Sequence, residues 1–136
     1  VPLLERLRSK DAGYQPLVLA GSWQVAVLNF AEEQAPENLR KVDSHTLTDE
    51  VFVLLSGKAV LIVAEDEGEG LRFYGKSMEP RLVYNVPVKT WHNIALAQDA
   101  EVLIVEDRDS HLGNYEFREL TAAEYAALQG ELKKYF

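Results

Sequence analysis

Apolar residues recur at alternate positions through most of the chain, in short runs broken by Gly, Pro, Asn and Asp. Alternation with a period of two puts successive side chains on opposite faces of an extended strand, so the pattern predicts half-buried β-structure. Leu17 to Phe30 is the first such stretch, with Trp23, Val25 and Val27 set against Gln24 and Ala26 and a bend expected at Gly21. Glu32 to Lys41 is polar, holds Pro36 and Asn38, and reads as a loop. Val51 to Leu55 and Lys58 to Val63 flank Ser56-Gly57, where glycine can take the positive φ of a tight turn, so a β-hairpin is expected there. Leu71 to Gly75, Arg81 to Val86, His92 to Ala97 and Glu101 to Glu106 are four more β-prone stretches, and Tyr115 to Leu120 is the expected last strand. Strands recurring about every ten residues with turn signals between them predict an all-β sandwich or barrel.

The two ends break this rhythm. Val1 to Lys10 carries Leu3, Leu4 and Leu7 between charges and reads as a short amphipathic helical turn. Thr121-Ala-Ala-Glu124 has the form of a capping box, and Leu128, Leu132 and Tyr135 follow near helical spacing, which predicts a C-terminal helix over about 122–135. With 136 residues, 47% of them hydrophobic, and no linker or repeat, the chain is expected to form one domain over 1–136, its barrel spanning about 15–120.

Charge and residue scarcity narrow the chemistry. Twenty-two acidic against fourteen basic residues give a net charge of −8, which would repel a phosphate backbone or an anionic lipid surface. Neither nucleic acid nor membrane is an expected partner, and no apolar run approaches the length of a membrane span. Cysteine is absent, which removes disulfides, thiolate metal sites and a thiol nucleophile together and fits a cytoplasmic location. Glu65 to Gly70 concentrates four acids but lacks the spacing of a calcium loop and reads as a solvated turn. Only His45, His92 and His111 are available for histidine chemistry. His111 lies in the polar loop Asp107 to Gly113 and reads as solvated, and the adjacent Ser110 has no nucleophile elbow around it.

Asp43, His45, Glu50 and His92 remain as the residues to weigh. Asp43 and His45 are two apart and face the same side of a strand, and Thr46 to Asp49 can turn the chain before Glu50 opens the next one. Glu50 is the single charged residue in a run that otherwise reads as buried strand, so it needs a partner.

These residues resemble the motifs of the cupin family of small β-barrels. The first motif, G(X)5HXH(X)3,4E(X)6G, is matched by His45, Glu50 and Gly57, with Asp43 at the first histidine position and Glu37 at the leading glycine. The second, G(X)5PXG(X)2H(X)3N, is matched by Pro87 and His92, with Arg81 and Lys89 at its two glycine positions and Leu96 at the asparagine. The resemblance implies an all-β cupin-type barrel, a double-stranded β-helix or jelly roll, with His45, Glu50 and His92 pointing inward as ligands for a divalent metal such as Fe, Mn, Zn or Ni. Asp43 would then supply a fourth oxygen. It further implies a small polar ligand inside the barrel, a sugar derivative or organic acid, and a homodimer.

Phe52, Tyr84 and Trp23 are expected to line the interior, and Arg72, Arg81 and Lys89 to stand near the mouth. Phe52, Tyr84 and Arg72 are thus the candidate substrate contacts. Trp91, next to His92, should point outward. Two functions stay open: a metalloenzyme, and a metal-free barrel that binds or senses a small ligand, with the histidines kept as polar structure. Altered glycine positions at Glu37, Arg81 and Lys89, suggesting changed loops around the mouth, lean toward the second.

Overall fold

A computed structural model describes residues 3–109 and 115–136, so Ser110 and His111 lie outside the described residues. The strands are β1 (Gly13–Ala20), β2 (Trp23–Asn29), β3 (Lys41–His45), β4 (Glu50–Ser56), β5 (Ala59–Asp66), β6 (Leu71–Ser77), β7 (Val83–Val86), β8 (Trp91–Leu96), β9 (Glu101–Asp107) and β10 (Tyr115–Glu119). The helix α1 (Ala122–Leu132) closes the chain. Two five-stranded sheets face each other, one ordered β1-β2-β9-β4-β7 and the other β10-β3-β8-β5-β6, with antiparallel pairing between neighbours.

Three sequence expectations change. Residues 3–12 form no helix, and Leu3, Leu4 and Leu7 are exposed, because so short a segment with no surface to pack on does not repay helix nucleation. The expected loop before β3 contains two single helical turns, Glu32–Gln34 and Pro36–Asn38. Ser56-Gly57 is not a hairpin turn, since β4 pairs with β7 and β9 while β5 pairs with β6 and β8. The chain there turns a corner from one sheet to the other. Gly57 has φ +75°, and a Cβ on it would lie 2.2 Å from the Asp99 carbonyl oxygen, so glycine is required by both conformation and close backbone approach. Alternation looks the same on either side of a hairpin and of a corner, which is why the pattern alone misassigned it.

Between the sheets lies an apolar cluster that includes Leu28, Phe52, Leu54, Leu61, Ile94, Leu96, Val102 and Ile104. A second cluster covers the outer face of the β5-containing sheet, where Val42, Val60, Ile62 and Ala95 meet Leu128 and Leu132 of α1, with Trp91 packed against it as expected. The capping box at Thr121 and Glu124 is formed. The helix also closes the edge of β6: Glu124 Oε2 accepts from Leu71 N at 3.0 Å, Glu131 Oε2 from Gly75 N at 2.9 Å, and the Tyr135 hydroxyl donates to Gly75 O at 2.7 Å.

The opposite sheet is different. Register places Val18, Val25, Val27, Val51, Val53, Val83, Leu103 and Val105 on its outer face, and none of them belongs to either cluster. Among the described residues no helix is long and apolar enough to cross a membrane.

Candidate metal centre

Strand alternation carries three of the expected residues to one point. Glu50, at the head of β4, shares its inward face with Phe52 and Leu54, and His92 enters from β8 with its ring edge-to-face against Phe52. His45 ends β3, with its ring centroid 5.3 Å from that of His92. Both imidazoles converge on one carboxylate oxygen: His45 Nε2 lies 2.6 Å and His92 Nε2 2.8 Å from Glu50 Oε1. Glu50 and His92 are only 5% and 4% exposed. One ligand atom from each of the three residues lies within 4.8 Å of the others.

The turn at Pro87–Thr90 holds both histidines. Thr90 N donates to Pro87 O and Lys89 has φ +65°, so the turn needs a left-handed residue at its third position. Arg81 repeats this after Pro80 with φ +69°. Arginine and lysine therefore keep the backbone conformation for which the two motif glycines are suited, and the expectation of altered loops at these two positions is corrected. Lys89 N donates to His45 O at 2.8 Å. On the same turn, Thr90 O accepts from His92 Nδ1 at 2.9 Å. A carbonyl can only accept, so Nδ1 carries the proton and the lone pair of neutral His92 is left on Nε2, toward the cluster.

The three groups lie against a cavity of about 310 Å³ whose lining includes Leu28, Phe52, Ile94 and Ile104 on the apolar side and Gln34, Lys41, Asp43, Asn93 and Tyr115 on the polar side. Asp43 lines it but lies outside the three-residue group, with its Oδ1 3.4 Å from Lys41 Nζ. Phe52 is where the sequence predicted it. Tyr84 is not part of the lining; it packs on the inter-sheet cluster, and its hydroxyl accepts from Glu79 N. Arg72 shares the face of Tyr74, Val63 and His92, but it is exposed on the edge strand β6, over the Tyr74 ring and two strands from β8, and so stands away from the cavity. Trp23 is 47% exposed on the outer face and lines nothing.

Among the lining residues that the sequence reading did not single out, Glu106 and Tyr14 stand nearest the cluster. Glu106 on β9 is buried, lies 3.4 Å from His45 Nε2 through Oε1, and accepts from the Tyr14 hydroxyl through Oε2. The alternation Val102, Ile104, Glu106 already marked it as inward-facing.

Burial works against charge throughout the cluster, pushing the Glu50 carboxyl up and pulling both imidazoles down. At Glu50 the bonds from His45 and His92 outweigh burial and hold it below the usual carboxylate range. At His45 and His92 the bond to Glu50 and its charge outweigh burial and raise both above ordinary histidine. Burial raises the Tyr14 phenol, and the Glu106 charge raises it further, so it stays a neutral donor.

Raised imidazoles contribute stability that is fully present below about pH 6.5 and lost as pH rises through their folded-state values. The lowered Glu50 carboxyl contributes stability present above about pH 4.5 and lost as pH falls through its folded-state value. With a chelator present, the melting temperature is therefore expected to decline on the alkaline side of about pH 6.5, and Glu50→Gln to flatten that decline. An alkaline decline that Glu50→Gln leaves unchanged would contradict the ion-pair assignment.

No family model and no curated protein matches the chain. Among solved structures it is similar to a cupin superfamily protein from Desulfitobacterium hafniense, at 21% identity and TM-score 0.52 over 79% of this chain and 88% of that one. It is also similar to an RmlC-like cupin family protein from Methanocaldococcus jannaschii with a double-stranded β-helix fold, at 17% identity and TM-score 0.51 over 78% and 93%. Fe(II) HppE matches at 17% identity and TM-score 0.53, over 76% of this chain and 55% of that one. Strand order, corner crossings and these likenesses agree: the chain has the double-stranded β-helix fold of the cupin superfamily.

Proposed function

We propose that the chain binds one divalent metal ion on His45, His92 and Glu50, and that the adjoining cavity takes a small polar metabolite such as a sugar derivative or organic acid. The observation that carries this reading is the convergence of one ligand atom from each residue to within 4.8 Å in a buried site. Two imidazoles and a carboxylate are a ligand set for iron, manganese, zinc or nickel. The Thr90 carbonyl supports it, because it leaves the His92 lone pair on the nitrogen that faces the cluster. When bound, such an ion would polarise an oxygen of the ligand as a Lewis acid. The chain's own part is to shield that oxygen from water with Phe52, Ile94 and Ile104 and to present Lys41 and Tyr115 as polar lining groups, the amides of Gln34 and Asn93 being bonded to Ile94 O, Lys41 O and each other.

Elemental analysis of protein purified without an affinity tag, after Fe²⁺, Mn²⁺, Zn²⁺ and Ni²⁺ are each offered, tests this directly. About one ion per chain is expected for at least one metal, with uptake lost in His45→Ala and His92→Ala while the β-sheet circular dichroism persists. Uptake below about 0.1 ion per chain for every metal would overturn it. It would favour a metal-free ligand-binding barrel in which Glu50 serves to satisfy the two imidazoles.

A homodimer is part of the same proposal. Helix α1 covers one sheet's outer face, while the valine-rich outer face of the other has no helix over it among the described residues and is half-buried for the most part, from Val27 at 5% exposed to Val83 at 68%. Five strands at about 4.8 Å spacing and some 20 Å length present roughly 500 Å² before side-chain relief is counted. That is a large part of the ~800 Å² per partner of a stable interface. A second copy offers a matching flat aliphatic face. Sedimentation velocity is expected to show a dimer at about 10 µM, and Val53→Lys a folded monomer. A wild-type monomer at that concentration would contradict the dimer.

A further inference from the structure

The two buried glutamates of the cavity stand in a relation that the motifs do not contain. Val51 pairs with Val105 across β4 and β9, so the antiparallel register continued by one residue sets Glu50 opposite Glu106. Both side chains face inward and both are buried. Like charges directly opposite on neighbouring strands repel, and the more so away from water, so a cation between them is required for both to remain ionised. His45 Nε2 occupies that place here, 2.6 Å from Glu50 Oε1 and 3.4 Å from Glu106 Oε1. The Tyr14 hydroxyl, donating to the other Glu106 oxygen, holds the carboxylate in that orientation.

We infer that Glu106, from β9, is the fourth protein ligand of the metal ion, in place of Asp43, and that Tyr14 is the residue that positions it. This rests on the metal reading above. Asp43 occupies a motif ligand position in the sequence, and its Oδ1 lies 3.4 Å from the half-exposed Lys41 Nζ; neither Asp43 nor Glu106 is among the three residues whose ligand atoms converge within 4.8 Å. Glu106 instead reaches that group through the same His45 nitrogen that faces Glu50. Two neutral imidazoles and two carboxylates around a divalent ion give a site with no net charge, which suits a buried centre better than a set with one anion. The resulting N₂O₂ donor set is oxygen-richer than three histidines and one carboxylate, which moves preference toward harder ions such as Mn²⁺ and Fe²⁺.

Co²⁺ titration in competition with a chelator reads both affinity and coordination, the latter from the visible bands of the bound ion. Glu106→Gln keeps the side-chain shape and is expected to weaken Co²⁺ binding about 10- to 100-fold and to shift the bands. Glu106→Asp, with the charge but a shorter reach, is expected to fall between Gln and wild type. Tyr14→Phe, a positioning variant, is expected to lose about 10-fold with the bands in place, and Asp43→Asn less than about 3-fold. Thermal melts of each chelated variant establish that the fold survives. Wild-type affinity and bands in Glu106→Gln, or a larger loss in Asp43→Asn than in Glu106→Gln, would overturn this inference while leaving the three-ligand site standing. Wild-type protein that takes up no ion would overturn both.

Discussion

Glu50 is a carboxylate 5% exposed at the head of a strand whose other inward residues are apolar. An isolated charge in that position would cost far more than a small domain can spare, so either it loses its ionisation or the fold supplies cations. Two imidazoles meet the same oxygen, at 2.6 and 2.8 Å, and each comes from a different strand of the opposite sheet. The cluster is therefore a cross-link between the sheets as well as a candidate ligand set. Its electrostatics also decide protonation: burial alone would neutralise all three groups, and their mutual hydrogen bonds reverse it.

Everything that positions this cluster is a consequence of how the chain moves between sheets. β4 and β5 are consecutive yet belong to opposite sheets, and Gly57 allows the corner between them to approach the Asp99 backbone closely. Because β4 then faces β3 and β8 across the interior, His92, 42 positions along the chain from Glu50, meets it beside the sequence-near His45. The Pro87–Thr90 turn ties two of them together by donating to His45 O and accepting from His92. The strain of holding Lys89 and Arg81 at positive φ is of order 1 kcal/mol each. At Lys89 that conformation is held by the turn that bonds both histidines.

Much of this was legible in the sequence, for physical reasons that differ from residue to residue. His45, Glu50 and His92 could be found because a lone carboxylate in a β-prone run demands partners, and histidine is scarce enough to limit the choice. The helix could be found because a capping box is a local signal, satisfied within four residues. The Ser56-Gly57 corner was misread because alternation records which face is buried and not which strand is the neighbour. Arg72 and Tyr84 lie on the inner faces of their sheets, but β6 and β7 are edge strands, so neither reaches the cavity; alternation gives the face and not the distance from the site. Glu106 carried its signal in the alternation of β9 but matched no motif, and Tyr14 lies ahead of Leu17, where the expected first strand began, on a strand that runs on through Pro16. Pro16 is tolerated because β1 is an edge strand.

The central claim is that Glu50 and its two imidazoles form the metal site, and the position of a bound ion tests it most directly. Crystals of the protein loaded with Mn²⁺ or Zn²⁺, measured at the absorption edge of the metal, are expected to give an anomalous-difference peak bounded by His45 Nε2, His92 Nε2 and the Glu50 carboxylate. A peak confined to the acidic turn between β5 and β6, or no peak inside the barrel from metal-loaded protein, would contradict it.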